Sequence, residues 1–341
     1  MNSIPSFAVV SGTQIQQILS GREERVTEII ENAYLLHGRG DTINPDSHFL
    51  RFPERPSSRI IALPASVGGN VDVHGIKWIS SFPENVASGI PRASAVLILN
   101  DTVTGYPFAC MESSIISASR TAASAALAAV RLSALRGTRP RRVGFCGTGL
   151  IARYVHRYLL AAGLRFDRIG LYDLATEYSS AFQERLRHTD DTPAVIHDSA
   201  EDLIRSSDLV VFATVAGTPH VHDPEHFAHH PLVLHVSLRD LSPEVILDSY
   251  NLTDDVDHCL KADTSPHLTE QRTGNRDFVA GTLHDALTGR LVPPADRTVI
   301  FSPFGLGVLD LALARYVYEE VTAAGELHTV PDFFHDTRRY G

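Results

Sequence analysis

The run Gly147-Thr148-Gly149-Leu150-Ile151-Ala152 follows a short apolar stretch, 143–146, and opens a helical pattern over 151–162. In this G-x-G-x-x-G/A spacing the first glycine permits a tight turn and the second lets a pyrophosphate approach the backbone. The small third residue allows the helix to pack on the strand, and the helix N-terminus faces the phosphate charge. Asp173 closes the next apolar run, 169–172. It stands close to the roughly 20-residue distance expected of a carboxylate that binds the ribose hydroxyls. Leu174, Ala175, Thr176 and Glu177 follow it, with no cation for a 2′-phosphate, so the pattern predicts NAD rather than NADP. The alternative use of Asp173 is as a helix N-cap. Loops after later strands should face the same ligand, because ligands sit beyond the carboxyl ends of a parallel sheet. Those loops are 214–219, opened by Thr214, and Ser237-Leu238-Arg239-Asp240. Asp240 is the carboxylate placed for chemistry beside a nicotinamide, and its alternative is to cap a helix beginning near Ser242.

A second group of candidates lies earlier. In Gly75-Ile76-Lys77-Trp78-Ile79-Ser80 the strand alternation puts Lys77 and Ile79 on one face and Ile76 and Trp78 on the other. An amine among apolar neighbours has its charged form disfavoured, which suits catalysis or tight pairing with a carboxylate. Arg51, within the turn-rich stretch 44–53, and Arg92 and Arg120 add cations that could hold an anion, although each could equally form an ordinary salt bridge. Six histidines between 220 and 235 crowd one region, but their spacing lacks a helical pair with a third ligand. They read as solvated loop residues, and no metal is expected. Cys146 lies inside the nucleotide strand and reads as packing.

The elements that must position these residues fall into two patterns. Helices are expected over 12–19 and 23–36, then strands over 59–63, 73–80 and 93–99, a turn at 100–105 and a returning strand over 106–111. A long Ala- and Ser-rich helix over 114–135 ends at Gly137-Thr138-Arg139-Pro140, where the rhythm changes. From there strands at 143–146, 169–172, 208–213 and 232–236 alternate with helices at 151–162 and 176–186, the pattern of parallel βαβ units. A last helix over 307–323 can return to the first domain. The expected fold class is α/β: a doubly wound Rossmann domain over 121–314, and an α+β substrate-binding and dimerisation domain built from 1–120 and 315–341.

The net charge of −10 over 341 residues, with no block of like charge, argues against nucleic-acid binding. The short basic cluster Arg136, Arg139, Arg141 and Arg142 does not reverse this. No apolar run approaches the roughly 20 residues needed to span a bilayer, and residues 1–10 carry no secretory pattern. Cys110, Cys146 and Cys259 have no CxxC spacing and read as thiols in a reducing cytoplasm. Of the thirty basic residues only Lys77 and Lys261 are lysines. Base composition explains the scarcity, and it draws attention to the lysine kept inside an apolar strand.

Taken together, Gly75-Ile76-Lys77, Arg92-Ala93-Ser94-Ala95, Thr104-Gly105-Tyr106-Pro107, Ser119-Arg120-Thr121-Ala122-Ala123-Ser124 and the Gly147 loop resemble the ornithine cyclodeaminase/μ-crystallin family along nearly the whole chain. Within it, 44–53, 61–65 and 77–81 look most like the branch that cleaves N-(2-amino-2-carboxyethyl)-L-glutamate in making L-2,3-diaminopropionate for siderophores and peptide antibiotics. The resemblance implies a homodimer joined through the N-terminal domain, NAD as cofactor, and a small anionic amino-acid conjugate as substrate. Hydride would leave the α-carbon of the glutamate portion, and water would cleave the resulting imine to 2-oxoglutarate and L-2,3-diaminopropionate, with NADH formed. It makes Lys77 and Asp240 catalytic, Arg51, Arg92 and Arg120 substrate-binding, and Ser94 a cofactor contact beside Gly147, Thr148, Gly149, Leu150, Ile151, Asp173, Thr214 and Ser237. Proton handling is assigned to Asp240, and carboxylate binding with water activation to Lys77. The run His235-Val236-Ser237-Leu238-Arg239-Asp240-Leu241-Ser242-Pro243 departs from the Gly-, Pro- and Lys-containing run of ornithine cyclodeaminases, which disfavours ornithine cyclisation. The competing readings are an ornithine or lysine cyclodeaminase, a ketimine reductase, and a non-catalytic nucleotide-binding protein of the μ-crystallin kind.

Overall fold

The computed structural model describes residues 6–335, which fall in two compact units: 6–120 with 306–335, and Thr121–Gly305. The first unit carries an 8-stranded mixed sheet. In spatial order its strands are His328–Val330, Phe7–Val10, Pro107–Glu112, Ala93–Asn100, Val73–Ser81, Arg55–Val67 and Thr42–Ile43, with His48–Phe52 also paired to Arg55–Val67. Alternation along these strands makes two unlike faces. On one, Val10, Met111, Leu97, Lys77 and Leu63 form a cross-strand row in which every member is buried. On the other, Trp78 and Val96 lie directly opposite each other and are 42% and 43% exposed. The C-terminal return, helix Gly307–Ala323, lies on Arg55–Val67, Val73–Ser81 and Ala93–Asn100, and also packs against helix Glu23–Gly38.

Helix Ser114–Arg136 begins where it does because the Glu112 carboxylate accepts hydrogen bonds from the backbone N–H groups of Ser114 (2.6 Å) and Ile115 (3.3 Å), satisfying two otherwise unpaired donors. Its Ala-rich face is buried from Ala122 to Ala129. At its end Arg136 donates to the backbone carbonyls of His230, Pro294, Ala295 and Arg297. Arg141 pairs with Asp167 and Arg142 with Asp208. Three members of the basic cluster are therefore occupied within the fold.

The second unit holds an 8-stranded sheet in the order Ala194–Ile196, Arg168–Tyr172, Arg142–Cys146, Leu209–Phe212, Leu232–His235, Val299–Ser302, Tyr250–Thr253 and Val279–Thr282. Every recorded pairing is parallel. Strand order reverses at Arg142–Cys146, which has Arg168–Tyr172 on one side and Leu209–Phe212 on the other. The crevice beyond the carboxyl ends at such a switch point is the ligand position of doubly wound sheets. The fold is thus α/β, a Rossmann-type parallel sheet accompanied by an α+β unit. Strands Phe7–Val10, Ala194–Ile196, Tyr250–Thr253, Val279–Thr282, Val299–Ser302 and His328–Val330 were not expected from the sequence. Each has three or four residues, too few for an alternating signal, and their neighbours in the sheet supply the missing order. Strand Arg55–Val67 exceeds the expected 59–63 because it is paired on both sides. Among the described residues no helix is long and apolar enough to cross a membrane, and the three cysteines are free thiols.

Candidate active site

At the switch point the chain turns sharply. Gly147 has φ +87°, and a Cβ there would meet the backbone of Ala213 at 2.7 Å and of Thr214 at 2.9 Å. Only glycine has access to this conformation and this approach. Gly149 precedes helix Leu150–Ala161 and carries no side-chain cap, and a Cβ added to it would meet nothing within 4 Å. The helix therefore starts with free N–H groups beside open space, the arrangement that receives a diphosphate. Ala152 is fully buried, which lets the helix settle on the sheet. Leu150 at the first position of this helix and Leu174 in the loop after the second strand, 49% and 93% exposed, present apolar side chains at the strand ends. Asp173 Oδ2 accepts from the Thr148 backbone N–H at 2.8 Å and from its hydroxyl at 3.0 Å. Its Oδ1 accepts from the Ala175 N–H at 3.2 Å. The acid thus braces the glycine loop, while Ala175 takes the N-cap position of helix Thr176–Thr189. These features fit a dinucleotide: a cradle shaped by two glycines, an uncapped helix end, and a partly exposed carboxylate after the second strand.

Asp240 lies beyond the ends of the same sheet and is completely buried. It does not cap the next helix, whose N-cap residue is Ser242. Instead its Oδ1 accepts from the Thr214 hydroxyl and from His220 Nε2 at 3.1 Å, and its Oδ2 from His235 Nε2 at 3.1 Å and the Ser237 hydroxyl at 2.5 Å. Burial opposes ionisation of this carboxyl. The hydrogen bonds from His220, His235 and Ser237 outweigh that effect and hold it well below the ordinary carboxylate range. The Asp240 carbonyl also accepts from the N–H groups of His220 and Val221, and Ser242 N–H donates to Val221 carbonyl, so the two loops are stitched together by backbone. The hydroxyls of Thr214 and Ser237, expected to serve a cofactor, are directed to Asp240.

Two histidines here correct the reading of 220–235 as a solvated loop. His235 ends a buried strand, is 1% exposed, and has Nδ1 3.2 Å from the Ser302 hydroxyl. His220 is partly exposed, with its ring against Phe212. Among the described residues no group of three or more His, Cys, Asp or Glu is arranged to hold a metal.

In the first unit Lys77 is 2% exposed. Its Nζ donates to Asp310 Oδ2 at 2.5 Å and lies 3.4 Å from the Ser117 hydroxyl. The other oxygen of Asp310 accepts from Arg120 Nε at 3.1 Å. Burial pushes the Lys77 amine down, Asp310 pushes it up and Arg120 pushes it down again, leaving it at about 8. Asp310 was missed by the sequence reading. Its signal was available: it is the one charged residue between Arg297 and Arg315, and it sits in an apolar helix. A buried carboxylate in such a run calls for a cationic partner.

The remaining candidates are dispersed. Arg92 donates to the Ser81 hydroxyl at 2.7 Å, and burial lowers its guanidinium from the usual value. Ser94 is exposed, its hydroxyl 2.8 Å from that of Ser80. Arg51 is exposed, its guanidinium 4.9 Å from the centre of the Phe49 ring. Cys146 is buried, and burial pushes its thiol well up, which removes nucleophilic character.

The sequence profile of the Ornithine cyclodeaminase/mu-crystallin family matches residues 13–325. The chain belongs to this family. An N-((2S)-2-amino-2-carboxyethyl)-L-glutamate dehydrogenase of Staphylococcus aureus is 26% identical over 317 residues, 90% of this chain and 93% of that protein. The Thermococcus litoralis Delta(1)-pyrroline-2-carboxylate reductase, solved in complex with NADH and L-proline, superposes with a TM-score of 0.87 at 22% identity, covering 95% of this chain and 100% of that one. An archaeal alanine dehydrogenase dimer with bound NAD gives a TM-score of 0.84 at 22% identity, over 96% and 100% of the two chains. These last two likenesses concern the fold.

Proposed function

We propose that the protein is an NAD-dependent oxidoreductase acting on the CH–NH bond of N-(2-amino-2-carboxyethyl)-L-glutamate, with 2-oxoglutarate, L-2,3-diaminopropionate and NADH as products. The observation that carries the oxidoreductase reading is the pairing, on one parallel sheet, of an open glycine cradle with the buried Asp240 anion held by four side chains. The substrate rests on similarity to the Staphylococcus aureus dehydrogenase over nine-tenths of the chain, and on arginines suited to a molecule with three carboxylates.

Gly147, Thr148, Gly149, Leu150 and Ile151 hold the diphosphate, and Asp173 receives the adenosine ribose. NAD would supply the hydride acceptor for the α-carbon of the glutamate portion. Loss of hydride requires a lone pair on the substrate nitrogen, so its proton must first leave. The electrostatics favour reversing the roles expected from sequence. Asp240 is too well satisfied as an anion to take up a proton near neutrality, and it serves better as a fixed negative charge that stabilises the developing iminium. Lys77, at about 8, can exchange a proton near neutral pH. Arg120, with Arg92 and Arg51, binds substrate carboxylates. Water then adds to the imine carbon and the C–N bond breaks, releasing the keto acid and the diamine.

The working form is a homodimer joined through the first unit. Val9, Cys110, Ile98, Ile76 and Pro64 form one row of its outer sheet face and Glu112, Val96, Trp78 and Ala62 the next, an apolar surface suited to a second copy. The cytoplasm is the proposed location, with L-2,3-diaminopropionate supplied to siderophore or antibiotic assembly. The test is mass spectrometry of products from N-(2-amino-2-carboxyethyl)-L-glutamate and NAD. Equal amounts of 2-oxoglutarate, L-2,3-diaminopropionate and NADH are expected. Absence of 2-oxoglutarate would remove this substrate, and turnover of ornithine or lysine without net NADH would replace it with cyclodeamination.

A further inference from the structure

We propose that Asp310 is a positioning residue that holds the Lys77 nitrogen on one carboxylate oxygen and Arg120 on the other, so that the lysine can change its charge without moving. Three observations within the first unit carry this. Lys77 stands in a row of buried apolar side chains, with Leu63 and Leu97 as its cross-strand neighbours. An unpaired ammonium in such a place would be strongly disfavoured. The return helix delivers one carboxylate, Asp310, itself 0% exposed, to 2.5 Å from Nζ. The same carboxylate is shared with Arg120 at 3.1 Å, so its single charge is divided between two cations. The groups facing the amine are Asp310 from the return helix and Arg120 and Ser117 from helix Ser114–Arg136.

The division has a chemical consequence. With Asp310 alone, the ammonium would be stabilised as an ordinary buried ion pair and would keep its proton well above neutrality. With Arg120 alone, the amine would be neutral throughout the physiological range. Burial lowers the amine most, and Asp310 raises it against Arg120, which leaves Lys77 at about 8; Nζ stays anchored in both forms because a neutral amine still donates to the carboxylate. In the proposed oxidation, the N–H bond of the substrate's secondary ammonium breaks and a new N–H bond forms on Nζ, leaving the lone pair on the substrate nitrogen. That use of the lysine rests on the proposed amine oxidation; the three-residue arrangement does not.

The chain itself supplies a direct test, since it contains two lysines, Lys77 and Lys261. Protein labelled with carbon-13 at lysine gives two side-chain signals by NMR, assigned with Lys261→Arg and followed as pH is raised. The Lys77 signal should titrate near 8. Asp310→Asn should lower its midpoint and Arg120→Gln should raise it, each by about one pH unit, a tenfold change in proton affinity. Opposite displacements are not produced by loosened packing. Asp310→Glu retains the charge but displaces it, so its midpoint should lie above that of Asp310→Asn while turnover falls. Midpoints that stay put, or that move in the same direction in Asp310→Asn and Arg120→Gln, overturn the proposal. If Asp310→Asn does not fold, Arg120→Gln decides it: an upward midpoint supports the proposal and one that stays put or falls overturns it. The titration needs no substrate, so a wild-type protein that oxidises no amine defeats the functional reading and leaves this measurement intact. Where turnover is found, the pH at which kcat/KM rises should follow the Lys77 midpoint from variant to variant.

Discussion

Replacing Asp240 by asparagine changes almost no volume and removes one charge, which makes its effect calculable. Four side chains donate to the carboxylate, two on each oxygen. An amide keeps one acceptor and turns the other position into a donor. If the amide oxygen takes the Oδ2 side, Ser237 and His235 keep their bonds. His220 can exchange tautomers and accept, because its ring reaches solvent. Thr214 fares worst, since its oxygen already accepts from the Ala216 N–H at 3.1 Å and its proton is left without an acceptor. Hydrogen bonds to a charged group contribute about 1.5–3 kcal/mol and neutral ones about 0.5–1.5, so three weakened bonds and one lost bond amount to about 6 kcal/mol. Relief of the burial that opposes the charge offsets part of this, leaving about 2–4 kcal/mol. Urea unfolding of wild type and Asp240→Asn, followed by circular dichroism, measures it. The sign of the pH dependence is fixed by the depressed pKa of Asp240. Its stabilisation is present above the unfolded value of about 3.9 and is lost as pH falls below it. The two proteins should therefore differ by a constant amount from about pH 5 to 8 and converge in stronger acid. Turnover should fall about 10²–10³-fold, as for loss of a preorganised electrostatic group, while NAD affinity changes little. Equal stability at neutral pH, or a gap that widens in acid, would refute a network built around an ionised Asp240.

Three other outcomes follow from the geometry. Gly147→Ala combines a φ of +87° with a Cβ 2.7 Å from the Ala213 backbone, and should cost about 2 kcal/mol or more in stability and abolish detectable NAD binding by calorimetry. Asp173→Ala removes the acceptor shared by the Thr148 N–H and hydroxyl, together with the ribose carboxylate; the KM for NAD should rise about tenfold, about the 1.4 kcal/mol of one charged hydrogen bond, with the NAD-to-NADP preference reduced. Trp78→Asp places a charge on the exposed apolar face and should shift a dimer to monomer in sedimentation velocity, whereas an unchanged sedimentation coefficient would remove this face from the interface.

How much of this was legible beforehand differs between the two units. The glycine loop, the Asp173 position and the strand bearing Lys77 were readable because each depends on residues near one another in the chain: a turn that needs positive φ, a helix that needs a small residue, and an alternation of two. Helix Gly307–Ala323 was legible from its apolar pattern for the same reason. Asp240 could be located by its place after a strand, but not by what holds it. His220 and His235 were read with a polar histidine-rich loop even though a strand was expected over 232–236; what only the fold supplied was their meeting at Asp240, where the bridge between Val221 and Leu241 draws the second histidine-bearing loop across.

What the sequence by itself determined was the presence of a nucleotide-binding parallel sheet, its glycine cradle and an amine set among apolar residues. The tertiary structure alone decided which charges meet. Asp310 lies 233 residues from Lys77 and reaches it because the chain returns after the second unit and lays its last long helix on the first sheet. No local propensity encodes that encounter. It arises from burying two apolar faces against each other, and the cost of leaving a charge unpaired inside them selects the partner.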